Sequence, residues 1–502
     1  MMKNIKFQFI FILGSLFFLN SCTLEDEGNY VYKDINEVVF EGLLKSNETY
    51  EVPRFDNLSI NTDNIKLTQD SDGSGSYEYS WKAVSTNSLD DEIYELSTQK
   101  SIDSQILLLP GTYTLYYLVK DLNTGVEWQH KTNLKVINSI YEGWMVLNDV
   151  AGESRLDMVS LLSGEYKVIP DVLDFSFSPL KLTGKPGFVQ AFDISPSLNG
   201  IYVSTSGNGT TRLDDNTFDW RKSNNLSYEF TTSQTENFEA SNLYVKAQGM
   251  SAVFKDTDFY VYNRIYRVSY STPQNVDRFG QRFDASPYIG KGGDLGGFAN
   301  MAIYDNTNKK FVYHTGYFSY CYDVLSSDPM FAPGKDLRYM VSTTFNGDQT
   351  FAVLKDPTTG KNHIGMFEVR GFSSSHYSEI LATDFDQAEH IAIDPTYAYI
   401  MYNVGGKVYE YDIFTQTTKE MIDKGGDVIT KLEYRKFFNT YSNTSYAKMS
   451  KQLIVCSYDP TGPEGSNGTM ELYNVPPTQG DLTLDASYSG FGKIVSIAYR
   501  ER

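Results

Sequence analysis

Apolar and polar residues alternate with a period of two over much of the chain, and the apolar runs are short. Such alternation puts one set of side chains on each face of an extended strand, so the pattern predicts β-structure. In the clearest stretch, 109–121, Tyr113, Leu115, Tyr117 and Val119 share a face. A polar turn at Asn123-Thr124-Gly125 then leads to a partner strand ending in Leu134 and Val136. Trp81, within the run 77–84, is the large residue that an immunoglobulin-like sandwich buries at its centre. These features predict a small β-sandwich over residues 35–138.

From 139 to 502 the pattern repeats in architecture more than in identity. Apolar runs with polar turns recur at 144–147, 201–204, 259–262, 301–304, 351–354, 398–402 and 453–456. Their spacing scatters around the ~40–50 residues of a four-stranded propeller blade. A second strand is visible in some units, as at Val408, Tyr409 and Tyr411 after Gly405-Gly406. The expected fold class is therefore all-β, an immunoglobulin-like β-sandwich followed by a seven-bladed β-propeller. The run 493–499 is expected to complete a blade near the start of the propeller and close the ring, which removes exposed edges. A pair of irregular sandwiches remains the competing architecture, because no Trp-Asp blade signature recurs at fixed positions.

The start of the chain follows a different rule. Lys3 and Lys6 precede an apolar stretch over 7–19, and Leu19-Asn20-Ser21-Cys22 follows. The apolar core is shorter than the ~20 residues that span a bilayer, so residues 1–21 read as a secretory signal peptide. Leu19 and Ser21 before Cys22 resemble a lipobox, which implies cleavage before Cys22 and lipidation of it. Several acyl chains on one cysteine give lasting attachment where a single chain does not. Residues 22–34 are expected to form an acidic linker. Within it, Glu25, Asp26 and Glu27 are similar to the export signal of surface lipoproteins in the Bacteroidota; the same run also serves as a solvated spacer.

Composition narrows the partners. The chain carries 43 basic and 63 acidic residues, and loss of the first 21 leaves 41 against 63, a net charge of −22. A surface of that sign repels phosphate backbones, so nucleic acid is not an expected partner. Aromatic residues make up 15% of the chain, which agrees with strands rather than helices. Besides Cys22 there are Cys321 and Cys456, far apart in sequence, and both a disulfide and two buried thiols stay open.

The opening Gly28-Asn29-Tyr30-x-Tyr32, the Trp81 strand and Pro110-Gly111-Thr112-Tyr113 running to Val119-x-Asp121 together resemble the PKD-like surface lipoproteins. In that family a PKD-type sandwich precedes a larger all-β domain, and Gly143-Trp144-Met145-Val146-Leu147 looks like the entry to it. The resemblance implies a lipid-anchored, surface-exposed protein of the outer membrane that assists an outer-membrane transporter of the starch-utilisation type. It implies no ligand.

The chain offers no assembled reactive set. Gly-x-Ser-x-Gly and His-Glu-x-x-His are absent, and His130, His314, His363, His376 and His390 are scattered among different units. The glycine-rich 290–297 lacks the ending of a phosphate loop and is expected to be a flexible inter-blade loop. Asp70 and Asp72 alternate as in a calcium loop but lack its distal glutamate, and a plain turn competes. Tyr317, Phe318 and Tyr320 are candidate stacking residues for sugars or peptides, against a structural role among other tyrosines. The expectation is thus a non-enzymatic binding or docking protein without cofactor or bound metal, serving glycan or peptide uptake. Two alternatives stay open: a surface glycan hydrolase or lyase, which needs two facing carboxylates on the propeller axis, and a structural scaffold bracing a transporter, which needs a broad apolar patch.

Overall fold

The alternating stretch forms the strand Gly111–Asp121, and in this computed structural model Tyr113, Leu115, Tyr117 and Val119 are all buried. It pairs antiparallel with Tyr77–Ser85 on one side and Glu127–Ile137 on the other. Ile93–Ser97 and Thr49–Pro53 complete a five-stranded sheet, the latter in parallel register. Asn57–Ile60 and Ile102–Gln105 form a second layer. Leu58, Ile60 and Ile102 from that layer meet Trp81, Leu115 and Tyr117 in one core. The Trp81 indole N–H donates to the Gln99 carbonyl at 3.1 Å, so the buried ring leaves no polar atom unsatisfied.

The structure describes residues 37–39, 48–63, 65–68, 70, 72–86, 92–195, 198–246, 249–264, 266–291 and 300–502. Cys22, Glu25, Asp26 and Glu27 lie outside them, as does 292–297 of the glycine-rich segment. Gly290 and Lys291 are not loop but a short strand paired with Ala302 and Met301, a correction to the sequence expectation. Among the described residues no helix is long and apolar enough to cross a membrane. The chain divides into two compact units between Ile137 and Asn138.

The second unit holds seven antiparallel sheets of three or four strands among the described residues. The first contains Gly143–Val150, Glu153–Leu162 and Glu165–Ile169, joined at its edge by Lys493–Arg500 from the far end of the chain. The other six follow in order, each led by one strand: Pro186–Ser195, Asn242–Lys246, Gly290–Lys291, Asp336–Ser342, Ile391–Ile393 and Val428–Glu433. Five of these six pair next with a strand holding one of the apolar runs read in the sequence, as does Lys493–Arg500 with Gly143–Val150. The exception is the third sheet, where the run 259–262 lies in the third strand, Asp258–Asn263, and Met250–Lys255 is the second.

Those second strands are buried on both faces, and period two divides each between two cores. In Thr350–Lys355, Phe351 and Val353 pack with Ile400 and Tyr402 of the sixth sheet, whereas Ala352 and Leu354 pack with Tyr304 and Phe311 of the fourth. In Gln452–Tyr458, Leu453 and Val455 join Met401 of the sixth sheet, while Ile454 and Cys456 join Trp144 and Val146 of the first. Met145 and Leu147 turn the other way, onto Val189 and Ile201 of the second sheet. Two further cores link the second sheet to the third and the third to the fourth. Packing thus passes from sheet to sheet and returns from the seventh to the first.

Cys321 and Cys456 are free, buried thiols in separate cores, and burial pushes Cys456 up to about 12. No disulfide joins them.

Ile497 is 1% exposed in the core shared by the seventh and first sheets, and Leu484 in the same region of sequence is 54% exposed. Ile497→Ala is expected to lower the unfolding free energy by about 2–5 kcal/mol, and Leu484→Ala by under about 0.5 kcal/mol. Urea denaturation of both variants checks this; equal effects would contradict the packing described.

Candidate functional site

The leading strands Asp336–Ser342 and Val428–Glu433 keep several partly exposed positions, unlike the buried strands they pair with. Tyr288 and the strands Asp336–Ser342, Ile391–Ile393, Val428–Glu433 and Lys493–Arg500 line one cavity of about 830 Å³. The four strands come from the fifth, sixth, seventh and first sheets, and Tyr288 lies just before the leading strand of the fourth.

Two irregularities aim side chains at this cavity. The register of Asp336–Ser342 shifts between Leu337 and Tyr339, and that of Val428–Glu433 between Ile429 and Lys431. A bulge leaves one residue unpaired and re-aims its side chain. The residues at the shifts, Arg338 and Thr430, both line the cavity. Arg338 donates to the Asn362 side chain at 3.0 Å and to the carbonyls of Phe385 at 3.2 Å and Ala388 at 3.3 Å. Those bonds hold the segment before His390 in place.

Glu433 lies between two cations, 3.1 Å from Lys431 and 3.7 Å from Arg435. Arg435 also donates to Gln190 of the second sheet at 3.2 Å. Burial, followed by the neighbouring Lys431 charge, holds the His390 imidazole below its ordinary value. Tyr288 and Tyr339 meet edge to face at 5.6 Å. Burial pushes both phenols up, so at neutral pH they keep their protons and can donate.

The residues singled out in the sequence lie elsewhere. Tyr317 and Phe318 are 40% and 51% exposed and follow the strand Lys310–His314. Phe318, Tyr320 and Tyr322 form a surface cluster with ring separations of 4.9–6.2 Å, and Tyr317 meets Tyr266 at 5.9 Å. None of them lines the cavity. Asp70 accepts from the Gly75 amide at 2.7 Å and from Tyr77 at 2.8 Å, and both Asp70 and Asp72 accept from Ser74. These bonds, the Gly75 amide first, hold Asp70 down to about 2. Together they close a turn. No group of three or more metal-ligating side chains occurs among the described residues.

Of the histidines, His390 alone lines the cavity. His314 is buried, accepts from the Gly316 amide at 2.9 Å, and burial holds it down to about 4. Arg338, Lys431, Glu433 and Arg435 were missed in the sequence. The signal that could have found them is a polar, charged strand immediately before each apolar run.

Residues 22–186 match the model of the PKD-like family, a segment that includes Cys22, the whole sandwich and the beginning of the second unit. No curated relative matches the chain. Among solved structures, a quinonprotein alcohol dehydrogenase-like protein from Bacteroides thetaiotaomicron is similar at 13% identity and a TM-score of 0.43, covering 92% of this chain and 95% of that one. A DUF4784 family protein from Bacteroides caccae is similar at 8% identity and a TM-score of 0.33, covering 78% and 96%. YCF48 from Cyanidioschyzon merolae is similar at 12% identity and a TM-score of 0.34, covering 63% and 96%.

One carboxyl outside the cavity has a measurable consequence. Glu410 is fully buried, and burial, followed by the nearby Asp394 charge, pushes it up to about 8. Its ordinary value is 4.5. Between those values the folded chain keeps a proton that the unfolded chain releases, so stability falls as pH rises through that window and levels off above it. Relative to wild type, Glu410→Gln is expected to match at pH 4 and to be more stable at pH 9 by about 1–3 kcal/mol. Urea midpoints at pH 4, 7 and 9 check the sign; a constant difference would contradict it.

Proposed function

We propose that this protein is a non-catalytic lipoprotein of the outer membrane, anchored through Cys22 and exposed at the cell surface, that acts as a binding or docking accessory of a starch-utilisation-type nutrient importer. In this reading the second unit is a seven-bladed propeller and its cavity receives the glycan or peptide ligand. The observation that carries the reading is the convergence on one cavity of strands from four sheets, the fifth, sixth, seventh and first, with Tyr288 just ahead of the fourth. Ligand sites recur where a scaffold brings several elements together around a concave surface with a few placed polar groups.

Two further features support it. Seven cores link the seven sheets in order and the last is shared with the first, the packing that radial closure requires. The cavity lining contains two carboxylates, Glu389 and Glu433, and Glu433 faces Lys431 and Arg435 rather than a second acid. Glycoside cleavage needs a pair of carboxyls about 5–10 Å apart across the bond, one of them protonated. A cation-flanked Glu433 suits binding better than that chemistry.

In its native host grown with radiolabelled palmitate, the wild-type protein is expected to take up label and Cys22→Ser to take up none. Captured from detergent-solubilised outer membranes, the wild type is expected to bring down an outer-membrane transporter. An unlabelled soluble species without that partner, or turnover of a polysaccharide panel, would overturn the reading.

A further inference from the structure

We propose that the ligand of the cavity is an acidic saccharide, carrying carboxylate or sulfate groups on a polyhydroxylated ring skeleton; the inference rests on the reading of the cavity as the ligand site. It starts from a contrast of charge. The chain as a whole has a net charge of −20. The cavity has the opposite balance, with Arg338, Lys431, Arg435, Lys436 and Lys451 against Glu389 and Glu433.

Partners inside the lining do not cancel this excess. Within the lining, Glu433 is the one carboxylate beside Lys431 and Arg435; Glu501, outside it, also acts on Arg435. Arg338 is held by an amide oxygen and two carbonyls, and Asp386, outside the lining, is the carboxylate that acts on it. Among the described residues, no carboxylate lies within ion-pair distance of Arg338 or Lys451. Lys436 faces Asp348 at 3.7 Å across a half-exposed gap. A concave lining that carries more cations than carboxylates, in a chain of opposite net charge, favours an anionic ligand. Burial and Lys431 hold His390 below its ordinary value, so at neutral pH it adds an uncharged ring to the lining.

The rest of the lining matches a sugar rather than a bare anion. Tyr288 and Tyr339 offer ring faces and protonated phenols, and Thr343, Thr430, Thr440 and Ser450 add hydroxyls. Rings stack on the apolar face of a pyranose while hydroxyls exchange hydrogen bonds with its rim. At about 830 Å³ the space exceeds what a single inorganic anion fills and lies within the ~300–1,000 Å³ of small-molecule sites.

The test is titration calorimetry on the full-length lipoprotein in detergent micelles. The probes are tri-galacturonate, its full methyl ester and a heparin-derived hexasaccharide. The ester keeps the skeleton and removes the charge; the other two separate carboxylate from sulfate recognition. At least one acidic probe is expected to bind more than about tenfold tighter than the ester. Lys431→Gln and Lys451→Gln are each expected to weaken that binding about five- to tenfold, and Lys167→Gln, on an exposed strand outside the cavity, to leave it unchanged. Lys451 is exposed, so its substitution separates loss of charge from loss of fold. Equal binding of acid and ester overturns the anionic ligand while leaving the cavity as a ligand site. Acid binding that ignores both lysine substitutions, or no binding by either acidic probe, also overturns the inference, and transporter capture remains an independent test of the accessory role.

Discussion

The antiparallel ladder between Gly143–Val150 and Lys493–Arg500 is the constraint on which the second unit depends. It joins the two ends of that unit through backbone hydrogen bonds, from Gly143 opposite Arg500 to Asp149 opposite Lys493. Without it, the strand Gly143–Val150 would present an unpaired edge and Trp144 would lose Tyr499, 4.9 Å away. Side chains reinforce the junction. Glu142 accepts from the Tyr499 and Tyr446 phenols at 2.8 Å each, and Arg502 pairs with Asp215 at 2.8 Å. Because Glu142 and Tyr499 stand 357 positions apart, the loop closed here is almost the whole unit. Entropy of closure grows only slowly with length, so a few buried contacts can hold it.

The cavity follows from the same arrangement. Each sheet hides its second strand between two cores, whereas the leading strands Asp336–Ser342 and Val428–Glu433 keep partly exposed positions. Where these strands meet Ile391–Ile393 and Lys493–Arg500, polar side chains can survive inside a protein without being individually buried. The shifts in register at Arg338 and Thr430 break the strict alternation that would otherwise turn those side chains into the cores. Arg338 is thus placed by a backbone irregularity, whereas Lys431, Glu433 and Arg435 are fixed by their mutual contacts.

Much of the fold was legible because burial on both faces writes a continuous apolar run into the sequence. Trp144 to Leu147, Phe351 to Leu354 and Leu453 to Cys456 each feed two cores, so they stand out against polar turns. In the third sheet the aromatic run at Phe259 is louder than Met250-Ser251-Ala252-Val253, and the reading settled on the neighbouring strand. The cavity was not legible. Its charged residues lie on strands far apart in sequence, and a bulge erases the period that would mark their faces. Tyr317, Phe318 and Tyr320 drew notice as a dense aromatic loop, and they do cluster, but at the surface away from the cavity. Cys22, from which the membrane reading starts, lies outside the described residues.

Native-state hydrogen exchange on the folded chain tests the closure most directly. If the ladder holds the unit as one cooperative body, the amides of Met145 and Ala498, which face each other across it, exchange together with those of Phe351 and Val455 in the buried strands of other sheets, at the free energy of global unfolding. Amides of Lys493–Arg500 exchanging orders of magnitude faster than Phe351 and Val455 would show a frayed end strand and an open array, and would contradict the account.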